Sequence, residues 1–453
     1  MIIAPIRSSS AIADERLDAK YHASPGVQAK ERLHLLATGG ARLSRVAGPG
    51  GLGAIGATSR TKRVYAADGE TSVPYLRPYD VFDYLPQAAD LLSKNGTSDG
   101  LIPSPGTILQ TCSGRNLGPL AYVDKYISRF AVSDDMLRIH IDAETNRLYA
   151  FAFLSTSTGQ AMLTRSKTGN VIDHLSADDL AAVQVPFIDR ATTAKVVRLM
   201  RAAIALREAA RIRLGELIDE LSATIPVTTR GGRLRDGWTQ RASDLGGRLD
   251  AAFHDPLVSK LSARLRESGG ISVGQVADTF IPGRYKRYYV GLEHGKPILS
   301  GRQLLQANPI NLRHIAARSF DSSKYGLAEG MTAFGAEGRA EDRISQPTLI
   351  TGERSNWLAN NHVMRVRPKP GVNPGWLYLS FAVPQVQAQV KACSCGSVVD
   401  TIYPSDLEHV VLPPINEALG NEALRCWKDL GAANTKERSA ISSLESTINN
   451  HIR

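Results

Sequence analysis

Several absences narrow the field before any motif is considered. Cysteine is scarce: Cys112, Cys393, Cys395 and Cys426 are the four in 453 residues, and none forms a C-x-x-C pair. A structural zinc site needs four ligands at suitable spacing, so no metal is expected. Four scattered thiols in a chain this long suit a reducing compartment, which makes the cytoplasm the expected location. Long apolar runs are missing too. The richest region, 196–221, is crowded with Arg and Glu, which excludes a membrane-spanning helix there. The first residues, MIIAPIRSSSAIADER, lack the charged start and apolar stretch of a secretory signal.

Catalytic signatures are also wanting. Lys167-Thr168 has the wrong upstream residues for a phosphate-binding loop, and no H-E-x-x-H occurs. Asn373-Pro374-Gly375-Trp376 approaches the Asn-Pro-Pro-aromatic loop of amino-methyltransferases but lacks its second proline. Phe334 to Gly338 approaches their cofactor loop with misplaced glycines. Neither lies in an alternating βαβ pattern, so no catalytic residue and no cofactor is assigned to this chain.

What is present is a moderate positive charge and a repeat. Lys and Arg total 54 against 44 Asp and Glu, a formal net charge of +10. That balance fits a polyanionic partner without requiring one. Hydrophobic residues at 43% allow sizeable cores. The repeat has a period near half the chain. Arg16-Leu17-Asp18-Ala19, then Tyr21-His22, returns as Arg248-Leu249-Asp250-Ala251, then Phe253-His254. Arg60 to Tyr65 returns as Arg284 to Tyr289, Pro74 to Leu76 as Pro297 to Leu299, and Gly106 to Arg115 as Gly330 to Arg339. Gly169 to Asp173, Asp179-Leu180 and Pro186 return as Gly396 to Asp400, Asp406-Leu407 and Pro413, all at an offset of 227. Ordered matches with slowly drifting offsets indicate a tandem duplication. His22 and His254, repeated beside an aromatic, are expected to be structural.

Each copy has two parts. The first is rich in Gly, Pro and β-branched residues with short alternating stretches such as Met136 to Ile141, which predicts a mixed, mostly β domain. The second follows a proline stop and predicts one long helix. Leu199, Ala203, Leu206, Ala210, Leu214, Leu217 and Leu221 step by threes and fours along 191–223. Leu424, Trp427, Leu430, Ile441, Leu444 and Ile448 do the same along 417–452, interrupted by Asn434 and Glu437. Such a stripe needs a partner, and pairing of the two helices, antiparallel, is expected. Arg198, Arg201, Arg207, Arg211, Glu208 and Glu216 read as a solvated polar face. The expected fold class is α+β: two mixed, mostly β recognition domains (1–188 and 226–415) joined by two long antiparallel helices (189–225 and 416–453), with an internal pseudo-twofold repeat.

This duplicated layout resembles the specificity (S) subunit of type I restriction-modification enzymes. Three motif types carry the resemblance in each copy: a basic turn before a proline-bearing strand, a Gly-led strand closing on Gly-Arg, and a Gly-x-x-Val/Ile-Asp strand with Asp-Leu and a proline exit into the helix. Together they cover nearly the whole chain, although Met331 to Phe334 lacks the usual β-branched run and 48–56 is unusually glycine-rich. The resemblance implies a protein without catalysis of its own. It implies double-stranded DNA as one partner and two copies of a modification (methyltransferase) subunit as others, with S-adenosylmethionine bound there. In many such systems a translocating restriction subunit joins.

Arithmetic supports a bipartite reader. A helix of about 33 residues is roughly 50 Å long, and one turn of DNA is about 34 Å. Two readers held at a fixed separation can enter successive grooves and leave a spacer unread. The basic turns are the leading DNA-facing candidates: Arg60, Lys62 and Arg63 in one copy, and Arg284, Tyr285, Lys286 and Arg287 in the other. Arg commonly pairs with guanine, and Lys more often holds phosphate. Arg115 and Arg339 follow tight glycine turns, and Ser113 and Asn116 can donate beside them. Two other readings stay open: a stand-alone nucleic-acid-modifying enzyme, and a scaffold joining two protein partners.

Overall fold

The computed structural model describes residues 22, 24–34, 39–48, 54–58, 62–88, 90–97, 99–114, 116–164, 174–225, 237–316, 325–338, 343–396 and 399–452. They form two compact units: Met1–Glu208 with Ala432–Arg453, and Ala209–Gly431. Arg16 to Tyr21 and Gly169 to Asp173, which carry two of the repeated motifs, lie outside the described residues.

The first unit opens with α1 (Pro25–His34), β1 (Gly40–Arg42) and α2 (Leu43–Val46). The strands β2 (Ile55–Ala57), β3 (Ser72–Leu76), β4 (Asp90–Ser93), β5 (Ile108–Thr111), β6 (Leu120–Tyr122), β7 (Ala131–Val132) and β8 (Met136–Ile139) follow. They sort into a four-stranded sheet ordered β2-β8-β5-β6 and a three-stranded sheet ordered β4-β3-β7. Next come α3 (Glu144–Ser155), α4 (Ser157–Leu163), α5 (Ala177–Ala181) and β9 (Gln184–Pro186), which pairs with β1. The run Leu148 to Leu154 is buried along its whole length, as a core helix requires. Thr156 ends that helix and caps the next, its hydroxyl accepting the Gly159 N–H at 3.0 Å.

The long helix α6 (Arg190–Ala223) begins in this unit. The second unit repeats the plan with α7 (Pro256–Glu267), β10 (Ile271–Ser272), α8 (Val273–Val276), β11 (Ala277–Phe280), β12 (Tyr289–Val290), β13 (Gly295–Leu299), α9 (Gly301–Leu305) and β14 (Arg313–Ala316). Then come β15 (Thr332–Gly335), β16 (Glu337–Gly338), β17 (Thr348–Leu349), β18 (Leu358–Ala359), β19 (Val363–Pro368), α10 (Pro374–Ala382) and α11 (Pro384–Ala392). It closes with β20 (Asp400–Thr401), α12 (Pro404–Leu407), β21 (Val411–Leu412) and the start of α13 (Glu417–Ile452), which passes into the first unit at Ala432. Its sheets are ordered β11-β19-β15-β17 and β12-β14-β13-β18.

The duplication extends to strand register. Leu109 faces Arg138 and Ala121 in the first unit. Ala333 faces Arg365 and Thr348, the counterpart residues, in the second. The parallel pair Tyr75–Ala131 answers to Ile298–Leu358. Gly106 and Gly330 turn the chain into β5 and β15 at φ +90° and +85°, in the left-handed region that favours glycine. Arg138 and Arg365 are buried at matching positions and donate to backbone carbonyls, Arg138 to those of Gly100 and Leu101, Arg365 to those of Ala359 and Tyr325. Burial pushes the Arg365 guanidinium down to about 10.

The long helices expected from periodicity are present, and their segments in the first unit run antiparallel. In the first unit, Val196, Val197 and Met200 of α6 share a core with Ala440, Leu444 and Ile448 of α13. Further along the same stretch, Arg207 donates to the Asn434 side chain at 2.9 Å and lies 2.6 Å from the Glu437 carboxylate. Arg207 and Asn434 stand 227 residues apart, so each touches its own counterpart in the repeat. Arg207 and Arg211, expected on a solvated face, are buried at 8% and 3% exposure. The helical stripe does not end at the apolar residues: the polar interruption at Asn434 and Glu437 is matched by Arg207 across the seam.

Candidate nucleic-acid interface

In both units the basic turn runs into the edge of a sheet, the one holding β3 in the first unit and the one holding β13 in the second. Val64 and Tyr65 lie beside β4, where the Val64 carbonyl accepts the Ser93 N–H at 2.8 Å and Tyr65 bridges Leu92. Tyr288 and Tyr289 lie beside β14 in the same way, the Tyr288 carbonyl accepting the Ala316 N–H at 3.0 Å and Tyr289 pairing with Ile315. The chain therefore brings each turn alongside β4 or β14 with exposed aromatics: Tyr65, Tyr288 and Tyr289 are about half exposed. Exposed aromatic faces beside cations suit nucleic-acid contact.

The residues of the turns divide by what holds them. Lys62, Arg284 and Lys286 are exposed, with the Lys286 ammonium 5.1 Å from the Tyr288 ring centre. Arg63 is tied inward: it donates to Asp134 at 2.7 Å and lies over the Tyr75 ring. The hydrogen bond to Asp134 raises its pKa further. Arg287 repeats this anchor, donating to Asn361 at 2.6 Å and lying over the Tyr285 ring. Asp134 and Asn361 stand two residues before β8 and β19, at the repeat offset. One guanidinium per turn thus fastens the turn to the sheet. Tyr285, grouped by sequence with the contact residues, turns inward instead. It packs on Tyr325 with ring centres 4.0 Å apart and against Ile298, Ile315 and Leu358. Its buried hydroxyl is pushed up by desolvation.

Arg60, Arg115 and Arg339 lie outside the described residues. Ser113 is half-buried and bridges His174, and the Asn116 carbonyl accepts the Thr111 hydroxyl at 3.1 Å, closing the turn at Gly114. The second unit pairs Glu337 with Thr401 and Gly338 with Asp400 at the equivalent place. The residues leading into the Gly-Arg turn and the stretch at the Asp of the third motif are therefore neighbours in both units. In the second, Glu337 also stands 2.5 Å from His362, next to the Asn361 that holds Arg287. The basic turn and the strand leading toward Arg339 are linked through those two adjacent residues.

Sequence reasoning missed Arg313. It stands exposed at the start of β14, its guanidinium 4.9 Å from the Tyr289 ring centre. The signal was available: carrying the alignment of Pro74 with Pro297 onward sets Arg313 opposite Asp90, a reversal of charge within a repeated frame.

The residues that resembled catalytic loops have structural roles. Asn373 caps α10, accepting the Gly375 and Trp376 N–H groups, and its amide donates to Glu417 and Asn421. Phe334 is a core strand residue packed on Phe381. Gly96 to Gly100 has the spelling of a hydrolase elbow, G-x-S-x-G, but single 3-10 turns flank it where an elbow needs a strand leading into a helix. His254 is buried, its ring nitrogen 2.8 Å from the Arg248 carbonyl. Among the described residues no group of three or more His, Cys, Asp and Glu side chains is placed to hold a metal ion. Among them also, no helix is long and apolar enough to cross a membrane.

No family model matches the chain. No curated relative matches it either. Among solved structures it is similar to the S subunit of a type I restriction-modification system from M. genitalium, at 12% identity, covering 91% of this chain and 94% of that one with a TM-score of 0.33. It is also similar to the HsdS subunit from Thermoanaerobacter tengcongensis, at 14% identity, covering 91% and 96% with a TM-score of 0.28. A third similar structure, from work on complex assembly in a type I system, shares 15% identity over 92% and 98% with a TM-score of 0.28.

Proposed function

We propose that this chain is the non-catalytic DNA-recognition subunit of a type I-like restriction-modification or related phage-defence methyltransferase complex. One observation carries the reading. The two units repeat one scaffold down to strand register, yet the corresponding strands β4 and β14 present different side chains: Asp90 and Leu91 in one, Arg313 and His314 in the other. A constant frame with divergent edges suits two different short sequences read by one chain. The duplicated motif order, with its resemblance to S subunits, supports the same conclusion. On this reading each unit contacts its own half-site, and the helices set the length of the unread spacer. Two helix–domain junctions dock two copies of a methyltransferase subunit, which binds S-adenosylmethionine. A restriction subunit joins where the system cleaves.

The test is a selection from random duplexes, with the chain isolated together with the subunits that accompany it. Two short sequence blocks at a fixed spacing are expected. Inserting four residues, about one turn, at equivalent points of α6 and α13 should change the spacing and leave both blocks intact. Enrichment of no sequence, or unchanged spacing in the insertion variant, contradicts the proposal.

A further inference from the structure

The second unit carries a donor-lined notch whose counterpart in the first unit contains carboxylates. A cleft of about 190 Å³ lies beside β13 and β14, walled by Arg287, Tyr289, Gln303, Asn311, Arg313 and Asn360 among others, and no lining residue is a carboxylate. Two of its amide acceptors are already engaged: Gln303 Oε1 accepts the Ser300 N–H at 3.0 Å, and Asn360 Oδ1 accepts the His362 N–H at 3.1 Å, while Gln303 Nε2 is spent on the Ile310 carbonyl at 2.7 Å. Arg313 is steadied on the Tyr289 ring, and Arg287 is steadied by Asn361. Burial alone would raise the Tyr289 hydroxyl, but Arg287 and Arg313 outweigh it and bring it below its ordinary value. Two guanidiniums and no carboxylate in the lining make the potential in the notch positive.

The first unit shows what such a place looks like when it is filled. Asp90 pairs with Tyr75 as Arg313 pairs with Ile298, at the same register. Asp90 accepts from Arg77 Nε at 3.0 Å, and Asp80 accepts the Arg77 backbone N–H at 3.0 Å. That edge is neutralised by the chain's own carboxylates. The second unit has Arg where the first has Asp, and nothing in its lining supplies the anion.

We infer that this notch takes a backbone phosphate of the DNA, held by Arg287 and Arg313. The inference rests on the DNA-recognition reading above. A notch that offers mainly donors and two guanidiniums suits an oxyanion better than a base edge, which presents acceptors and donors together. It follows that the second half-site is gripped with a steeper salt dependence than the first.

The experiment measures equilibrium binding of the full chain, with its accompanying subunits, to a selected site and to a random duplex between 50 and 200 mM salt. Arg313→Ala should weaken both roughly tenfold, the size of one lost charge-assisted hydrogen bond. It should also make the salt slope shallower by about 0.9, the value of one phosphate contact. Arg313→Lys should restore the slope, which separates charge from misfolding. An unchanged slope in Arg313→Ala overturns the assignment. So does a loss confined to the selected site with relaxed preference at one base, which would make Arg313 a base reader. Wild-type binding without sequence preference would defeat the recognition reading alone, because the random-duplex slopes still report the phosphate contact. Wild-type binding to neither duplex would defeat both.

Discussion

Single side chains explain the repeated motifs better than chemistry does. Arg248, first residue of the Arg-Leu-Asp-Ala motif, donates to Asp250 at 2.6 Å, to Asp406 at 2.8 Å and to the Cys393 carbonyl at 3.0 Å, and lies over the Phe253 ring. It ties the entry of the second unit to the Asp-Leu of the third motif, so two motifs far apart in sequence are one knot. The hydrogen bond from Arg248 holds the Asp250 carboxyl below its usual range. Its folded-state pKa is thus lower than its unfolded one. The stabilisation is complete above about pH 4 and is lost as pH falls through the folded value. Arg248→Ala should cost about 2 kcal/mol at pH 7, since partly buried acceptors lose a charged donor. It should also flatten the loss of stability on the acid side. Urea denaturation from pH 7 down to pH 3 checks both. A cost below about 0.5 kcal/mol, the usual range of surface changes, would mean the knot is incidental. None of this could be read from spacing, because the acceptors on residues 393 and 406 reach Arg248 only after the sheets close.

At the level of elements, the helices were the most legible part of the chain. A stripe of apolar residues at steps of three and four is set by helix geometry alone, and it marked out both α6 and α13. What the stripe could not show is that Arg207 belongs inside it. Its partners lie 227 and 230 residues away, and only the antiparallel pairing brings them together. Burial opposes the Arg207 charge, and Glu437 more than offsets that opposition. Glu437→Ala should therefore cost about 3–5 kcal/mol by stranding a buried guanidinium. Replacing Arg207, Asn434 and Glu437 together with leucine should be near neutral. Chemical denaturation of the single and triple variants decides. Equal losses in both would show that the helices need this polar contact for stability, and that the loss does not come from stranding a charge.

At the level of the whole molecule, the duplication was legible from a handful of matches because it rests on glycine turns, prolines and apolar strand residues that packing constrains. The candidate contact surface was legible only in part. The basic turns were found, but sequence does not distinguish a guanidinium that fastens a turn to the sheet, as Arg63 and Arg287 do, from one displayed at the start of a strand, as Arg313 is. That distinction depends on the residues opposite, Asp134 and Asn361, which follow from the strand register. The central claim is that one frame, written twice, reads two short DNA sequences for a partner methyltransferase. The most direct measurement maps methylated bases across the host genome with and without this chain. The account predicts an asymmetric motif of two separated blocks that disappears when the chain is deleted. Methylation that survives the deletion unchanged, or a lost motif that is single and uninterrupted, would contradict it.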